Sequence, residues 1–215
     1  MSFKHPKLYK PGVIINGLNE TNVTIITSEQ PDLISLGIWG ILPEGYSDEW
    51  STFQNVTNTL QIDISAMESD LWYRNSFTER RCVFVVSGFF TSYLQNGVVY
   101  PYHMGLKSGA PFLLAGIYNT LDDGFITCAL VVKKANDFIK KFQNVGEIMP
   151  IPIPDNLVDV YLDNHIQPNE IRAFLKENHK NELHATPIEK EFFNQNISYD
   201  SMLEPYDYRN LPADE

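Results

Sequence analysis

Apolar residues along the chain fall in short alternating or unbroken runs bounded by Gly, Pro and Asn, a pattern that predicts β-strands more than long helices. Val13 to Thr27 alternates apolar and polar positions around a turn at Asn16-Gly17-Leu18-Asn19-Glu20, and Trp39 to Pro43 reads as another short strand. Cys82 to Phe90 predicts a buried strand ending in a glycine. A turn at Gln95-Asn96-Gly97 follows, then alternating strands around Pro101-Tyr102 and Pro111-Phe112. Helical signals are shorter. Leu71, Tyr73 and Phe77 predict a short helix beginning within Asp70 to Glu79, and Ala135 to Phe142 predicts another, capped by Asn136 or Asp137. Pro154-Asp155 introduces a helix from Leu157 to Leu162, and Pro168-Asn169-Glu170 one running through Leu175. Each has an acidic residue in the first turn, complementing the helix dipole. Gly146 to Pro154 carries prolines in alternation, which predicts extended chain at a sheet edge. The sum is an α+β domain dominated by antiparallel strands, with short helices at the periphery. Tyr199 to Glu215 is polar, acidic and proline-interrupted, so the expected organisation is one domain over residues 1–198 and a loosely attached acidic tail over 199–215.

A chain of 215 residues suffices for one domain with a sizeable core. No apolar run reaches the length that spans a bilayer, and MSFKHPKLYK lacks the apolar segment of a signal peptide, so a cytoplasmic protein without a membrane partner is expected. Cys82 and Cys128 sit in apolar strand patterns and read as buried thiols rather than a disulfide or metal site. No His/Cys pair has zinc spacing and no phosphate-cradling glycine motif occurs, so neither metal nor cofactor is expected. His165, His179 and His184 lie near Asp163, Glu177 and Glu182, but their irregular spacing yields no ligand set, and His103 reads as a partly exposed sheet histidine. Charge changes the picture more. Sixteen basic against 27 acidic residues leave −11, which opposes the counterion displacement that nucleic-acid binding requires. Lys133-Lys134 with Lys140-Lys141 is the best candidate for a local basic patch, or else a solvated face.

Several segments recur in a recognisable order. Leu8-Tyr9-Lys10-Pro11-Gly12 with Asn16-Gly17 comes first, then Trp39-Gly40-Ile41-Leu42-Pro43. Arg80-Arg81-Cys82, Gly88-Phe89-Phe90, Pro101-Tyr102, Gly109, Pro111-Phe112 and Ala115-Gly116 follow. Phe125 to Asn136, Met149-Pro150 and Ala185-Thr186-Pro187-Ile188 complete the series. This succession resembles the SOS response-associated peptidase (SRAP) family, with its WGLIP, RRCL-x-P-x-DGFYEW, PYxI, G-x-PF-x-FAGLW, TFTILTTEAN, RMPVIL and AYPVS segments. The resemblance runs from about Leu8 to Ile188 and implies an SRAP-like fold, mainly antiparallel β in barrel-like sheets.

It also implies a chemistry: the family forms covalent cross-links to abasic sites in single-stranded DNA during the damage response and has autopeptidase activity. There, a cysteine following the initiator methionine attacks the ring-opened aldehyde through its thiolate and α-amine. An asparagine and an arginine of an NARAET strand, the glutamate of GFYEW and a histidine before RMP surround it. This chain departs at each position. Thr59-Leu60 aligns with the residues before NARAET, placing Gln61 at the asparagine, Asp63 at the arginine and Ser65 at the glutamate of that strand. A shift of three would place Asn58 at the asparagine but still supply no arginine. Thr91 replaces the glutamate of GFYEW, Gln143 falls on the histidine and Ile148 on the arginine before Met149-Pro150. The segment bearing the cysteine is expected to be missing, with Ser2 a disordered terminus. Glutamine and threonine hydrogen-bond but do not titrate near neutrality. A pocket of Gln61, Thr91 and Gln143 therefore suits a small polar ligand or a protein partner rather than acid–base chemistry, and the chain reads as a degenerate member acting by binding. The alternative is an active cross-linking peptidase whose true start lies upstream. Trp39, Asp63, Phe90 and Ile148 are the positions expected to face a ligand or DNA, with Trp39 and Phe90 either stacking bases or packing the core.

Overall fold

The computed structural model describes residues 2–9, 14–69, 71–177, 182–194, 200–208 and 210–214. Its strands are β1 (Ser2–Phe3), β2 (Asn22–Thr27), β3 (Gln30–Trp39), β4 (Gln61–Asp63), β5 (Arg81–Val86), β6 (Phe89–Gln95), β7 (Val98–Leu106), β8 (Phe112–Thr120), β9 (Ile126–Lys134), β10 (Ile148–Pro150), β11 (Pro152–Ile153) and β12 (Leu183–Pro187). The helices are α1 (Trp50–Val56), α2 (Arg74–Glu79), α3 (Asp137–Lys141), α4 (Val158–Leu162) and α5 (Pro168–Lys176). The larger sheet runs β1-β3-β2-β5-β8-β9-β10. It closes on itself because Ile38 and Trp39 of β3 also pair, in parallel, with Thr127 and Cys128 of β9. β2, β5, β8, β9 and β3 thus form a barrel, which leaves no free edge among those five strands. A second sheet, β12-β7-β6, packs against it. The fold is α+β with largely antiparallel sheets and short helices, as expected.

Period-two alternation divides each barrel strand between two cores. Ile25, Cys82, Phe84, Leu114, Tyr118 and Cys128 point inward and continue into Tyr102 and Met104 of the second sheet. Ile26, Val83, Ala115, Ile117, Ala129 and Val131 point outward beneath Phe77, Tyr161, Leu162, Ile171 and Leu175 of the helices. Both cysteines are fully buried inside, and burial pushes their thiols well above the ordinary range. Neither thiol should react with Ellman's reagent at pH 8 in the folded protein, whereas both should titrate in guanidinium. A fast-reacting native thiol would contradict this packing.

Several boundaries differ from the expectations. Between residues 14 and 27 there is one strand, not two, and Val13 lies outside the described residues. The Asn16 side chain accepts from the N–H of Leu18 at 3.0 Å, and Gly17 lies flat against the Trp39 ring, where a Cβ would stand 2.8 Å away. The strand read at Trp39 to Pro43 is instead the end of β3, because Gly40 turns the chain with φ of 112°. The run from Cys82 to Phe90 breaks at Ser87-Gly88, so β5 serves the barrel and β6 the second sheet. α1 was not anticipated; its Trp50 is buried and donates its indole N–H to the Trp39 carbonyl at 3.0 Å. Ser2 is not a disordered terminus but pairs with Leu33 of β3.

The C-terminal segment also differs. Over its described residues it lies along the second sheet rather than hanging loose. The Tyr208 ring sits 4.9 Å from Tyr100, and Gln95 donates to the Asn210 carbonyl at 3.1 Å. Tyr102 donates its hydroxyl to the Pro212 carbonyl at 2.8 Å. Asp214 accepts the Ala185 N–H at 3.1 Å and pairs with His184 at 2.7 Å. Averaged composition hid the aromatic and aliphatic side chains that hold this acidic segment down. Among the described residues, no helix is long and apolar enough to cross a membrane.

Candidate functional site

Where the exposed edge of β6 faces β10 and the loop after α3, the two sheets leave a cleft of about 290 Å³. Gln61, Thr91 and Gln143 all line it, together with Phe90 and Ile148. Three elements far apart in sequence bring them there. β4 pairs in parallel with β9, setting Gln61 opposite Leu130. The hairpin of β6 and β7 presents Phe90 to Ser92, and β10, antiparallel to β9, sets Ile148 opposite Lys134 and Pro150 opposite Val132.

The polar side chains are held differently. Thr91 is buried and donates its hydroxyl to the Phe142 carbonyl at 3.0 Å. Gln143 donates both amide hydrogens, to Gly146 at 3.0 Å and Ile148 at 2.8 Å, which leaves its side-chain oxygen as an acceptor. Gln61 is exposed, and its amide has no partner among the described residues. Among the described residues no ionisable side chain lines the cleft. What it offers is neutral: amide, hydroxyl and backbone groups between apolar walls of Val132, Ile148 and Pro150.

Of the other sequence candidates, Phe90 and Ile148 stay at the cleft and the rest lie elsewhere. Asp63 shares a strand face with Gln61, but its carboxylate accepts from Ser65 N–H at 2.8 Å and caps the 3₁₀ turn Ile64–Glu68. Asn58, the alternative asparagine, accepts from Leu60 N–H at 3.1 Å and does not line the cleft. Trp39 donates its indole N–H to the Leu60 carbonyl at 2.8 Å and packs edge-on against Phe84, so its ring serves packing. Phe90 lines the cleft, while its ring lies 4.3 Å from Phe192 and 5.5 Å from His103. Ser2 pairs six residues back along β3 from Trp39, about 20 Å at roughly 3.3 Å per residue.

The lysine patch does not assemble as drawn from sequence. Lys133 is buried and donates to the carbonyls of Leu175 at 3.1 Å and Glu177 at 2.5 Å, closing the C-terminal end of α5, and desolvation lowers its basicity. Of the remaining three, Lys140 pairs with Asp137 at 3.4 Å and Lys134 stands opposite Ile148 at the rim. His103 is half-buried against Gly88, and burial lowers its basicity. Among the described residues His165 and His184 each meet one carboxylate, at 2.8 Å and 2.7 Å, and His179 lies outside them. Among the described residues no three His, Cys, Asp or Glu side chains converge as a metal site.

Two residues at the cleft escaped the sequence reading. Asn144 caps the free edge of β6 through Leu94, and Ser92 turns its backbone into the opening. Neither carries a signal in sequence, because the two segments that meet here lie 50 residues apart and Asn144 sits in the loop between α3 and β10.

Comparison with known proteins agrees with this architecture. Residues 6–195 match the model of the SOS response associated peptidase (SRAP) family. A search of curated proteins found no match. Among solved structures, the chain resembles a protein from Bacteroides thetaiotaomicron at 20% identity and TM-score 0.78, covering 89% of this chain and 84% of that one. It also resembles a Bordetella bronchiseptica protein at 19% identity and TM-score 0.65, covering 79% and 85%. A phage-related protein of the same organism follows at 16% identity and TM-score 0.57, covering 79% and 78%. At such identities the likeness establishes the fold alone.

Proposed function

The chain belongs to the SOS response associated peptidase family, and on that premise we propose that it acts by binding, its cleft offering neutral hydrogen bonds where the family's cross-linking chemistry would stand. One observation supports this reading: Gln61, Thr91 and Gln143, which the resemblance would set at the family's functional positions, line one cleft, and none of the described side chains lining it titrates near neutrality. Capture of an abasic aldehyde needs a nucleophile and groups that move protons onto the departing oxygen. Here both thiols are sealed in the barrel interior and Thr91 already donates to a carbonyl. Charge supports the same reading. With −11 overall and Lys133 turned into the core rather than out to the candidate lysine patch, the charge opposes replacement of the counterions of a DNA strand. The ligand this cleft suits is a small neutral polar group or a protein segment.

The test is direct. The full chain incubated with a single-stranded oligonucleotide carrying one abasic site should run on a denaturing gel as free protein and free DNA. A heat-stable adduct would overturn the reading.

A further inference from the structure

The rim of the cleft carries more information than its side chains. Asn96 and Gly97, with φ of 52° and 78°, make the two-residue turn between β6 and β7, so Gln95 and Val98 form the hydrogen-bonded pair that closes the hairpin. In an antiparallel ladder such pairs alternate with unbonded ones. Leu94, Ser92 and Phe90 therefore turn their N–H and C=O groups away from β7. Two other facts agree with that phase. Pro101, which has no N–H, stands opposite Ser92, and the backbone of Leu94 bonds to Asn144.

β6 is the outer strand of its sheet, so these groups form an open edge, and the chain covers only part of it. The Asn144 side chain accepts from Leu94 N–H at 2.6 Å and donates to the Leu94 carbonyl at 2.9 Å, as a neighbouring strand would. Its own N–H donates to the Ser92 carbonyl at 3.3 Å. There the pairing stops. The Ser92 N–H and both backbone groups of Phe90 have no partner among the described residues, and both residues line the cleft. Edge strands usually carry a lysine, a proline or a bulge that discourages pairing. Phe90 to Ser92 carries none.

Resting on the reading of the cleft as a binding site, we infer that it takes an extended, uncharged segment of another polypeptide, which adds as a strand to the open edge of β6. The backbone of such a segment supplies the acceptor and donor that Ser92 N–H and Phe90 lack, over about 7 Å of strand. Gln61 and the free oxygen of Gln143 meet its peptide groups on the other side. Val132, Ile148 and Pro150 receive an uncharged side chain. A charged one would find no counter-ion in the lining.

Ser92→Pro isolates the edge. It deletes the outward N–H without touching a ladder bond, a substitution that edge strands tolerate. The immobilised full chain is exposed to a pool of N-acetylated, C-amidated heptapeptides of zero net charge, and retained peptides are counted by mass spectrometry. Wild type should enrich a subset at least tenfold over Ser92→Pro. Peptides of that subset N-methylated at alternate amides should lose retention by a similar factor, an arm that stands even if the variant misfolds. Equal retention by wild type and a folded variant, indifference to N-methylation, or no enrichment at all would each overturn the inference. None of these outcomes affects the abasic-site assay, whose gel tests the underlying loss of cross-linking separately.

Discussion

Replacing Arg81 with Met should lower the unfolding free energy by about 3–5 kcal/mol, a large share of the roughly 5–15 kcal/mol that a domain commonly possesses. Arg81 is fully buried, and among the described residues no carboxylate side chain hydrogen-bonds its guanidinium. Four backbone carbonyls accept from it instead: Phe77 at 2.8 Å, Thr78 at 2.7 Å, Tyr161 at 2.7 Å and Asp163 at 2.6 Å. These belong to the C-terminal ends of α2 and α4, where the helix dipole is negative and carbonyls lack intrahelical partners. The planar fork of five donors satisfies both ends at once, so its loss strands several acceptors in the core. Arg81→Lys keeps the charge without the fork and should recover only part of the deficit. Guanidinium denaturation checks this, and a loss below about 1.5 kcal/mol for Arg81→Met would show that water or rearrangement replaces the clamp. Lys133 closes α5 in the same way.

Gly88→Ala should cost about 3 kcal/mol, at the upper end for an overpacked site. Gly88 lies where the chain crosses from the barrel into the second sheet. A Cβ there would overlap the Nε2 edge of the His103 ring and stand 2.7 Å from the Met104 carbonyl. The ring can be removed and the carbonyl cannot, so His103→Ala in the same chain should restore some but not all of the stability. A thermal melt of the single and double variants measures the coupling. If Gly88→Ala melts like wild type, the glycine is not there for space. On this account the glycine of the Gly88-Phe89-Phe90 motif serves architecture, independently of any chemistry at Thr91.

The extended stretches were readable because strands buried on both faces leave short apolar runs bounded by turn residues. Cys82 to Val86 is an unbroken apolar run and Phe125 to Asn136 stood out through the family resemblance, while the cap at Asn136 follows from local chemistry: its side chain accepts from Ile139 N–H at 2.9 Å. Gln30 to Trp39 did not stand out, because its outer residues are polar and its pairing partners lie on both sides of a barrel that no local pattern announces. The lysines misled for a related reason. Lys133 and Lys134 are adjacent in sequence, but alternation sends one into the core and the other to the rim.

Residue identity alone established that Gln61, Thr91 and Gln143 are neutral hydrogen-bonding groups and that the chain carries −11, since side-chain chemistry does not depend on the fold. Which of those side chains meet, and what they leave free, was a tertiary decision. Gln61 reaches the cleft only through the parallel pairing of β4 with β9, and Asp63 leaves it because its carboxylate finds a nearer N–H. The open edge at Phe90 and Ser92 exists only because one sheet ends where another begins, and strand edges are set by which distant segments pair, not by the residues that compose them.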